Sequence, residues 1–332
     1  MDCTARIRAS LTALSCCALA ALAPGPAAAE WVDWIADAAF ETEFTDNLNQ
    51  TGFDNDEASD FIFRPKLSAG RVYQLGDLTR LSATADVEGA LHARFDRLDS
   101  VTYGITLAGH RKFGLGRTRP WARVHASGAR FDLKEHGRDS WLVESGLELG
   151  QRFTPRFDAS IAYAYELREG ESGRAAVVGF NDDVWDQARH RVTARANFLI
   201  TDLLMFSGGV EYLNGDFQSS CPKAVSGVGG PGPGPGPGPG PGPGPGPGPA
   251  GGGGGILARE NPQAVALDEV FGNDPGDCIY RIDGEIYAAF VSLNYPVTDR
   301  VGVDLGYRFQ HGDGKVLHYQ TNLATLAFTF RY

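Results

Sequence analysis

Three features are scarce or missing in this chain, and each excludes a class of protein. Beyond residue 29 no segment offers the roughly 18 consecutive apolar residues that a membrane-spanning helix needs, which excludes a helical membrane protein. Basic residues are outnumbered, 30 against 41 acidic ones, and the formal net charge of -11 argues against a nucleic-acid partner. Only two methionines occur, whereas 43 glycines and 11% aromatic residues favour strands and turns over a helical core.

The N-terminus has the features of a secretory leader. Arg6 and Arg8 precede an apolar stretch at 11–23, and three alanines at 27–29 complete an A-x-A cleavage site. We therefore expect residues 1–29 to be a cleaved signal peptide, which leaves 28 basic and 40 acidic residues. A lipoprotein anchored at Cys16 or Cys17 is the alternative, although its apolar region would be very short.

Alternation of apolar and polar residues with a period of two runs through the rest of the chain. It predicts twelve β-strands and almost no helix. The predicted strands are 31–46, 59–74, 79–95, 99–113, 120–133, 139–153, 156–169, 184–199, 203–217, 279–295, 299–311 and 315–332. An even number suits an up-and-down antiparallel barrel, which leaves no backbone group unpaired in lipid.

The connectors between these strands alternate in length. Those after even-numbered strands are tight turns, at 74–78, 114–119, 154–155, 200–202 and 296–298. Those after odd-numbered strands are longer and more polar. The alternation predicts one end of short turns and one end of long loops.

The last nine residues, 324–332, alternate without a break and end on an aromatic residue. Leu326, Phe328, Phe330 and Tyr332 share one face of this segment. The segment resembles the closing strand of Gram-negative outer-membrane β-barrels, whose terminal aromatic residue is the assembly signal. The resemblance implies a porin-like, all-β transmembrane barrel over residues 30–332 in the cell outer membrane. It also implies contact with lipid and lipopolysaccharide, recognition by the barrel-assembly machinery, periplasmic short turns and extracellular long loops.

A soluble antiparallel sandwich would show the same alternation with its apolar face inside. Aromatic residues near strand ends, such as Trp34, Tyr73, Trp141 and Tyr295, favour the barrel, because Trp and Tyr form girdles at the two membrane interfaces. We therefore expect the apolar faces of the strands to point outward and the polar faces to line the lumen.

The connector at 218–278 is exceptional in length and composition. Within 231–255 proline and glycine alternate and are followed by a glycine run, which predicts disorder because nothing apolar is available for burial. The segment is either a flexible surface arm or a tolerated expansion in an exposed loop. Cys221 and Cys278 flank it, and we expect a disulfide that encloses 58 residues and stabilises the fold by about 4 kcal/mol in the chain-entropy model.

Inward-facing positions of the predicted strands carry charges of both signs. They include Asp37, Glu41, Glu43, Arg64, Lys66, Asp86, Glu88, Arg94, Lys112, Arg123, Glu144, Glu148, Arg152, Asp304 and Arg308. The candidate selectivity residues are Arg189, Arg191 and Arg195 of the eighth strand, with Glu166, Arg168 and Glu211 beside them. Two interpretations are open: a transverse field that selects anionic solutes, or ion pairs that fill a narrow lumen.

The segment 44–48, Phe-Thr-Asp-Asn-Leu, is similar to a tyrosine-aspartate-x-asparagine turn of some proteobacterial barrels, with Phe44 in place of tyrosine. That group includes surface-lipoprotein assembly modifiers and exopolysaccharide-associated outer-membrane proteins. The match covers five residues, so it carries no function to this chain.

The sequence offers no complete constellation for catalysis or metal binding. His318, Gln320 and Asn322 share the outward face of the last strand, but barrel lipases and deacylases also need a nucleophile within reach of the base. His92, His110 and His125 are expected to line the lumen without the spacing of a metal site. We expect no cofactor.

The composition and pattern favour a passive channel or export conduit for small polar or anionic solutes. The alternative is a structural or surface-interaction barrel with an ion-pair-filled lumen and exposed loops. A lipid-modifying enzyme of the outer membrane comes third.

Overall fold

A computed structural model describes residues 29–52, 57–134, 139–170, 185–220, 264–266, 278–314 and 318–332. The expectations for the signal peptide before Ala29, for the segment 231–255 and for Cys221 lie outside these residues. Among the described residues, helices of the length and apolarity needed to cross a membrane do not occur.

Twelve long strands and one short strand make up the fold. The strands are β1 (Ala29–Thr45), β2 (Asp60–Leu75), β3 (Thr79–His92), β4 (Ser100–Lys112), β5 (Trp121–Leu133), β6 (Ser140–Thr154), β7 (Phe157–Gly170), β8 (Gln187–Leu199), β9 (Met205–Ser220), β10 (Ala264–Ala266), β11 (Cys278–Pro296), β12 (Val301–Gly314) and β13 (His318–Arg331). A single 3-10 turn, Asp96–Leu98, lies between β3 and β4 in the described residues.

The sheet closes on itself as an all-antiparallel, up-and-down barrel. Each long strand pairs with its neighbours in the chain, β9 pairs with β11, and β13 pairs with β1 from Asp37 opposite Arg331 to Thr45 opposite Leu323. The barrel therefore has twelve strands, as the alternation predicted. β9 continues to Ser220, three residues beyond its predicted end, and β10 adds three residues to the edge of β11.

Strand ends differ from the predicted ends by a few residues. The third strand was predicted to reach residue 95 but ends at His92, because the backbone N–H of His92 bonds to the Asp99 carboxylate at 2.8 Å and the chain enters the 3-10 turn. A side chain that accepts a backbone hydrogen bond competes with the strand ladder in this way.

The short turns gather at one end of the barrel, called the turn end, and the long connectors at the other, called the loop end. At the turn end, Gly76 has φ of 72°, a left-handed conformation that suits glycine. In two turns the Thr201 and Thr298 hydroxyls accept hydrogen bonds from backbone N–H groups two or three residues later. These contacts hold adjacent strands together at minimal loop length.

The exterior is apolar, as the sequence predicted. Exposed outward side chains include Leu67, Val87, Leu91, Ile105, Leu107, Val143, Leu149, Ile161, Val210, Val291, Leu305, Leu326, Phe328 and Phe330. On β11 the outward rings of Tyr287 and Tyr295 are eight residues apart, which is roughly 26 Å along a strand and about 20 Å along the axis of a barrel with a typical tilt. The apolar band between the two rings matches the height of a lipid-facing belt.

Candidate functional site

The lumen is the candidate site, since period-2 alternation turns the other face of every long strand inward. The predicted inward residues of β3 and β7, such as Glu88 and Glu166, are shielded, while their neighbours Val87 and Ile161 are about half exposed on the exterior. The closed sheet thus places the predicted charges on a continuous inner wall.

Ion pairs occupy the part of the lumen nearer the loop end, on β1 to β3, where Arg64 and Lys66 pair with Glu43 and Glu88, and on β6 to β12. Arg189 donates to the Glu166 carboxylate, Arg191 reaches across β7 to Glu144, and Arg308 donates to Glu211 at 2.5 Å. Glu166 is only 8% exposed. Charges this shielded need partners, so these arginines neutralise carboxylates in the same wall.

Arg168, another predicted selectivity residue, is a packing residue in this structure. Its guanidinium lies over the rings of Phe131 at 4.5 Å and Trp185 at 5.6 Å. Its Nε donates to the Ser140 hydroxyl at 2.8 Å. These contacts join β5, β6 and β7 at the loop end.

Arg195 differs from the other two arginines of β8. Its side chain is exposed, and its guanidinium lies 5.4 Å from the ring of Phe290 on β11. A Cβ at Gly209, the residue between them on β9, would overlap that ring. No carboxylate pairs with Arg195 in the part of the chain that the structure describes.

The half of the lumen nearer the turn end holds charges of both signs on separate strands. Exposed cations on β4, β5, β6 and β8 are Lys112, Arg123, Arg152 and Arg195, and the carboxylate residue Glu148 on β6 is the cross-strand neighbour of Arg123. Carboxylates on β1 and β12 are Asp37, Glu41 and Asp304. Among the described residues, neither set has an ion-pair partner within 4.0 Å.

The two sets lie on opposite walls. In a ring of twelve strands with this order, β7 is diametrically opposite β1 and β5 is opposite β12. β5, which carries Arg123, therefore faces β12. β6 and β8, which carry Arg152 and Arg195, flank β7, the strand that faces β1. Fixed charges on opposite walls of a water-filled lumen create a transverse field.

Inward aromatic rings lie flat against the wall on cross-strand glycines. A Cβ at Gly146 would overlap the His125 ring, and one at Gly150 would overlap the Trp121 ring. The His125 Nε2 also lies 3.0 Å from Glu144. Glycine opposite an aromatic ring keeps bulky side chains close to the wall.

The loop end of the lumen is filled. Inward apolar side chains there are almost fully buried: Ile62, Leu213, Phe217, Ile282, Ile286 and Tyr319. The rings of Phe217 and Tyr319 are 5.6 Å apart, and the Tyr319 hydroxyl accepts a hydrogen bond from Gln310 at 2.6 Å. Inward side chains at the end of an open barrel would face water. The burial of these apolar side chains therefore means that other parts of the chain cover them.

The connector between β1 and β2, residues 46–59 and here called loop L1, contributes to this closure. Its polar residues Asn47, Asn49 and Thr51 are buried. The Ser219 hydroxyl at the end of β9 donates to the Gln50 carbonyl at 2.8 Å. Four strand spacings, roughly 19 Å along the wall, separate β1 from β9, so L1 reaches well across the mouth.

L1 is tied to β13 by two side chains. Asp46 accepts hydrogen bonds from the Asn322 backbone N–H at 2.7 Å and from its amide at 2.6 Å. The Asn47 amide donates to the carbonyls of Thr51 and Gln320 and its oxygen accepts from the Thr51 N–H. We call these contacts the L1 latch.

The L1 latch was not predicted from the sequence, although the segment 44–48 is a conspicuous turn. Its Asp-Asn pair is followed by Thr51, and Asn or Asp side chains that bond to a backbone N–H a few residues later organise tight loops. That signal was available. The hydrogen-bond partner of the loop on β13 could not be predicted, because nothing in the loop composition points to residue 322.

The residues considered for catalysis have structural contacts. Asn322 and Gln320 hold the L1 latch, and His318 lies 3.0 Å from Asp313 on the exposed outer rim. At another connector, a hydrogen bond from Lys134, 2.8 Å away, lowers the pKa of Asp96. In the described ranges, no group of three or more His, Cys, Asp or Glu side chains could hold a metal ion.

The exterior and lumen together define a membrane protein. A closed antiparallel barrel with an apolar outer belt, aromatic rings at both rims and a charged interior is the architecture of Gram-negative outer-membrane proteins. We place the chain in that membrane, and in barrels of this kind the short turns face the periplasm.

No protein-family model matches the sequence, and no curated protein matches it. Among solved structures it is similar to an outer-membrane channel from Pseudomonas putida F1, at 8% identity, a TM-score of 0.49, and coverage of 93% of this chain and 99% of that one. It is also similar to the NanC porin, at 8% identity, a TM-score of 0.42, and coverage of 88% and 100%. The KdgM porin in complex with disordered oligogalacturonate gives 7% identity, a TM-score of 0.40, and coverage of 89% and 99%. Because these TM-scores are below 0.5, the assignment of the fold rests on the strand register described above and not on these similarities.

Proposed function

We propose that the protein is a passive channel or export conduit for small polar or anionic solutes. The observation that carries the proposal is the pair of opposed, unpaired charged walls in the turn-end half of the lumen. A barrel that serves only as a scaffold gains no stability from inward charges held apart, whereas a pore uses them to orient and select solutes.

Within this proposal, selectivity depends on Arg195 together with Lys112, Arg123 and Arg152. Arg189 and Arg191 stabilise the wall through their carboxylate partners. A neutralised arginine contributes little field at the lumen axis, while a solvated, unpaired one attracts anions.

A planar-bilayer measurement on the refolded protein tests the proposal. We expect Arg195→Gln to lower the anion-to-cation permeability ratio and Glu41→Gln on the opposite wall to raise it. The double variant Arg189→Gln/Glu166→Gln is the matched control and should change the ratio less, because it removes both charges of an ion pair and leaves the net charge of the lumen unchanged. Equal shifts for Arg195→Gln and for this double variant would exclude the unpaired charges from the selectivity mechanism.

The alternative of a structural or surface-interaction barrel is favoured by one observation, the buried apolar residues at the loop end. The same bilayer experiment separates the two functions. Absence of current at every voltage, both in the natural protein and in a variant with the L1 latch broken, would reject a channel and leave the structural alternative.

A further inference from the structure

A cation on the lipid-facing surface of β2 has an unusual environment. Arg71 lies on the same outward face as Leu67 and Ala69, four residues before the turn end of the strand. Its guanidinium lies 3.9 Å from the ring of Trp34 and 5.1 Å from that of Trp31, and both rings are more than half exposed. The two rings fix the guanidinium at the level of the periplasmic interface.

Arg71 has no counter-ion in the protein as far as the described residues extend. Its Nε is buried without a hydrogen-bond partner, and none of the ion pairs among the described residues includes it. A charged side chain on the lipid face of a barrel is destabilising unless it reaches the interface and finds a partner there. In this position the available partner of opposite charge is a lipid phosphate.

A groove begins beside Arg71 and runs towards the middle of the membrane. Its volume is about 610 Å³, and its lining is almost entirely apolar. Ala36, Ala69 and Ala85 lie side by side on three paired strands and form its floor, while Phe330 and Tyr332 form one wall. The Trp34–Arg71 pair is the next outward pair of β1 and β2 towards the turn end, so the cation closes the interfacial end of the groove.

We propose that this surface binds one phospholipid of the periplasmic leaflet, with its phosphate on Arg71 and an acyl chain in the groove. Arginine presents a planar fork of donors that matches phosphate oxygens and forms strong, charge-assisted hydrogen bonds. The groove supplies an apolar surface of the right depth, since it leads from the interface into the hydrocarbon region. Lipopolysaccharide occupies the opposite leaflet, so a glycerophospholipid is the occupant at this end.

Native mass spectrometry of the full-length barrel in detergent, titrated with dioleoyl phosphatidylglycerol, tests the site. We expect the natural protein to carry one tightly bound lipid and Arg71→Gln to bind it at least about tenfold more weakly, the usual effect of losing a charge-assisted hydrogen bond. Ala69→Phe keeps the arginine but fills the groove, and it should lose the lipid as well.

Arg111→Gln is the matched control, because Arg111 also faces outward near the turn end of β4 but lies outside the groove. It should bind like the natural protein. Heat-modifiable migration in gels shows that each variant is a folded barrel. Unchanged binding by folded Arg71→Gln and Ala69→Phe would overturn the proposal. So would a dimer that Ala69→Phe dissociates, because the groove would then belong to a second copy.

Discussion

Asn47 is the residue on which the L1 latch depends most. Its side chain is 1% exposed and makes three hydrogen bonds, two within L1 and one to the backbone of β13. Leaving buried backbone groups without partners typically costs about 1 to 3 kcal/mol each. The contact therefore decides whether L1 stays across the mouth.

We expect Asn47→Ala to release L1 and to raise single-channel conductance or open probability several-fold while the barrel remains folded. Single-channel recording in planar bilayers is the measurement, and Asn214→Ala, a change at an exposed outward position of β9, is the control. Identical recordings from the natural protein and from Asn47→Ala would mean that L1 does not limit passage.

Residue types alone could not separate the arginines of β8. Arg189, Arg191 and Arg195 occupy equivalent inward positions in the alternation, and the same selectivity role was predicted for all three. Their difference depends on partners from other strands, Glu166, Glu144 and Phe290, which follow from register and strand tilt. Period-2 alternation fixes the face of a residue but not its neighbours across the lumen.

At the scale of elements, β13 closes the barrel and also leads into the terminal aromatic residue, and these two roles can be tested separately. Its terminal residue Tyr332 is 93% exposed, and its backbone N–H bonds to the Ala36 carbonyl at 3.0 Å. The side chain thus adds little to the closed barrel, whereas the resemblance described above implies that the terminal aromatic residue is an assembly signal.

Deleting Tyr332 should reduce the amount of folded barrel in outer membranes several-fold but leave the urea midpoint of protein refolded in detergent nearly unchanged. Heat-modifiable gel bands and tryptophan fluorescence measure the two quantities. Leu115→Ala, in an exposed turn, is the control. A matching loss in both assays would assign Tyr332 to stability instead of recognition.

Strands were the most predictable elements because each has one face in lipid and one in the lumen, so the alternation is long and regular. Connectors were less predictable. L1 has the polar composition of a solvated loop, yet Asn47 and Thr51 are buried because their hydrogen bonds are satisfied inside the fold. A loop that satisfies its own polar groups cannot be told from an exposed one by composition.

At the scale of the whole molecule, the two charged walls make ion preference depend on salt. Screening shortens the reach of fixed charges from about 10 Å at 0.1 M salt to about 3 Å at 1 M. We expect the preference measured from reversal potentials to be clear at low mean salt and nearly absent at 1 M KCl. A preference that survives 1 M KCl would indicate direct contact at a narrow constriction in place of a long-range field.

Fold class and strand number were predictable from the whole chain, since the even count, the alternating connectors and the terminal strand agree with one another. The filled loop end was not. It depends on apolar residues such as Ile62, Phe217 and Ile286 at inward positions, where the alternation predicts polar side chains. Only the closed sheet brings them together.

The pairing of β1 with β13 also has a consequence for how the protein matures. These strands are the first and the last of the barrel, so the seam cannot form until all twelve long strands are present. Contacts between such distant segments are slow to form because closing a long loop costs entropy. Until then both edges of the sheet are open and prone to aggregation. Formation of the seam is therefore the step that ends the exposure of these edges.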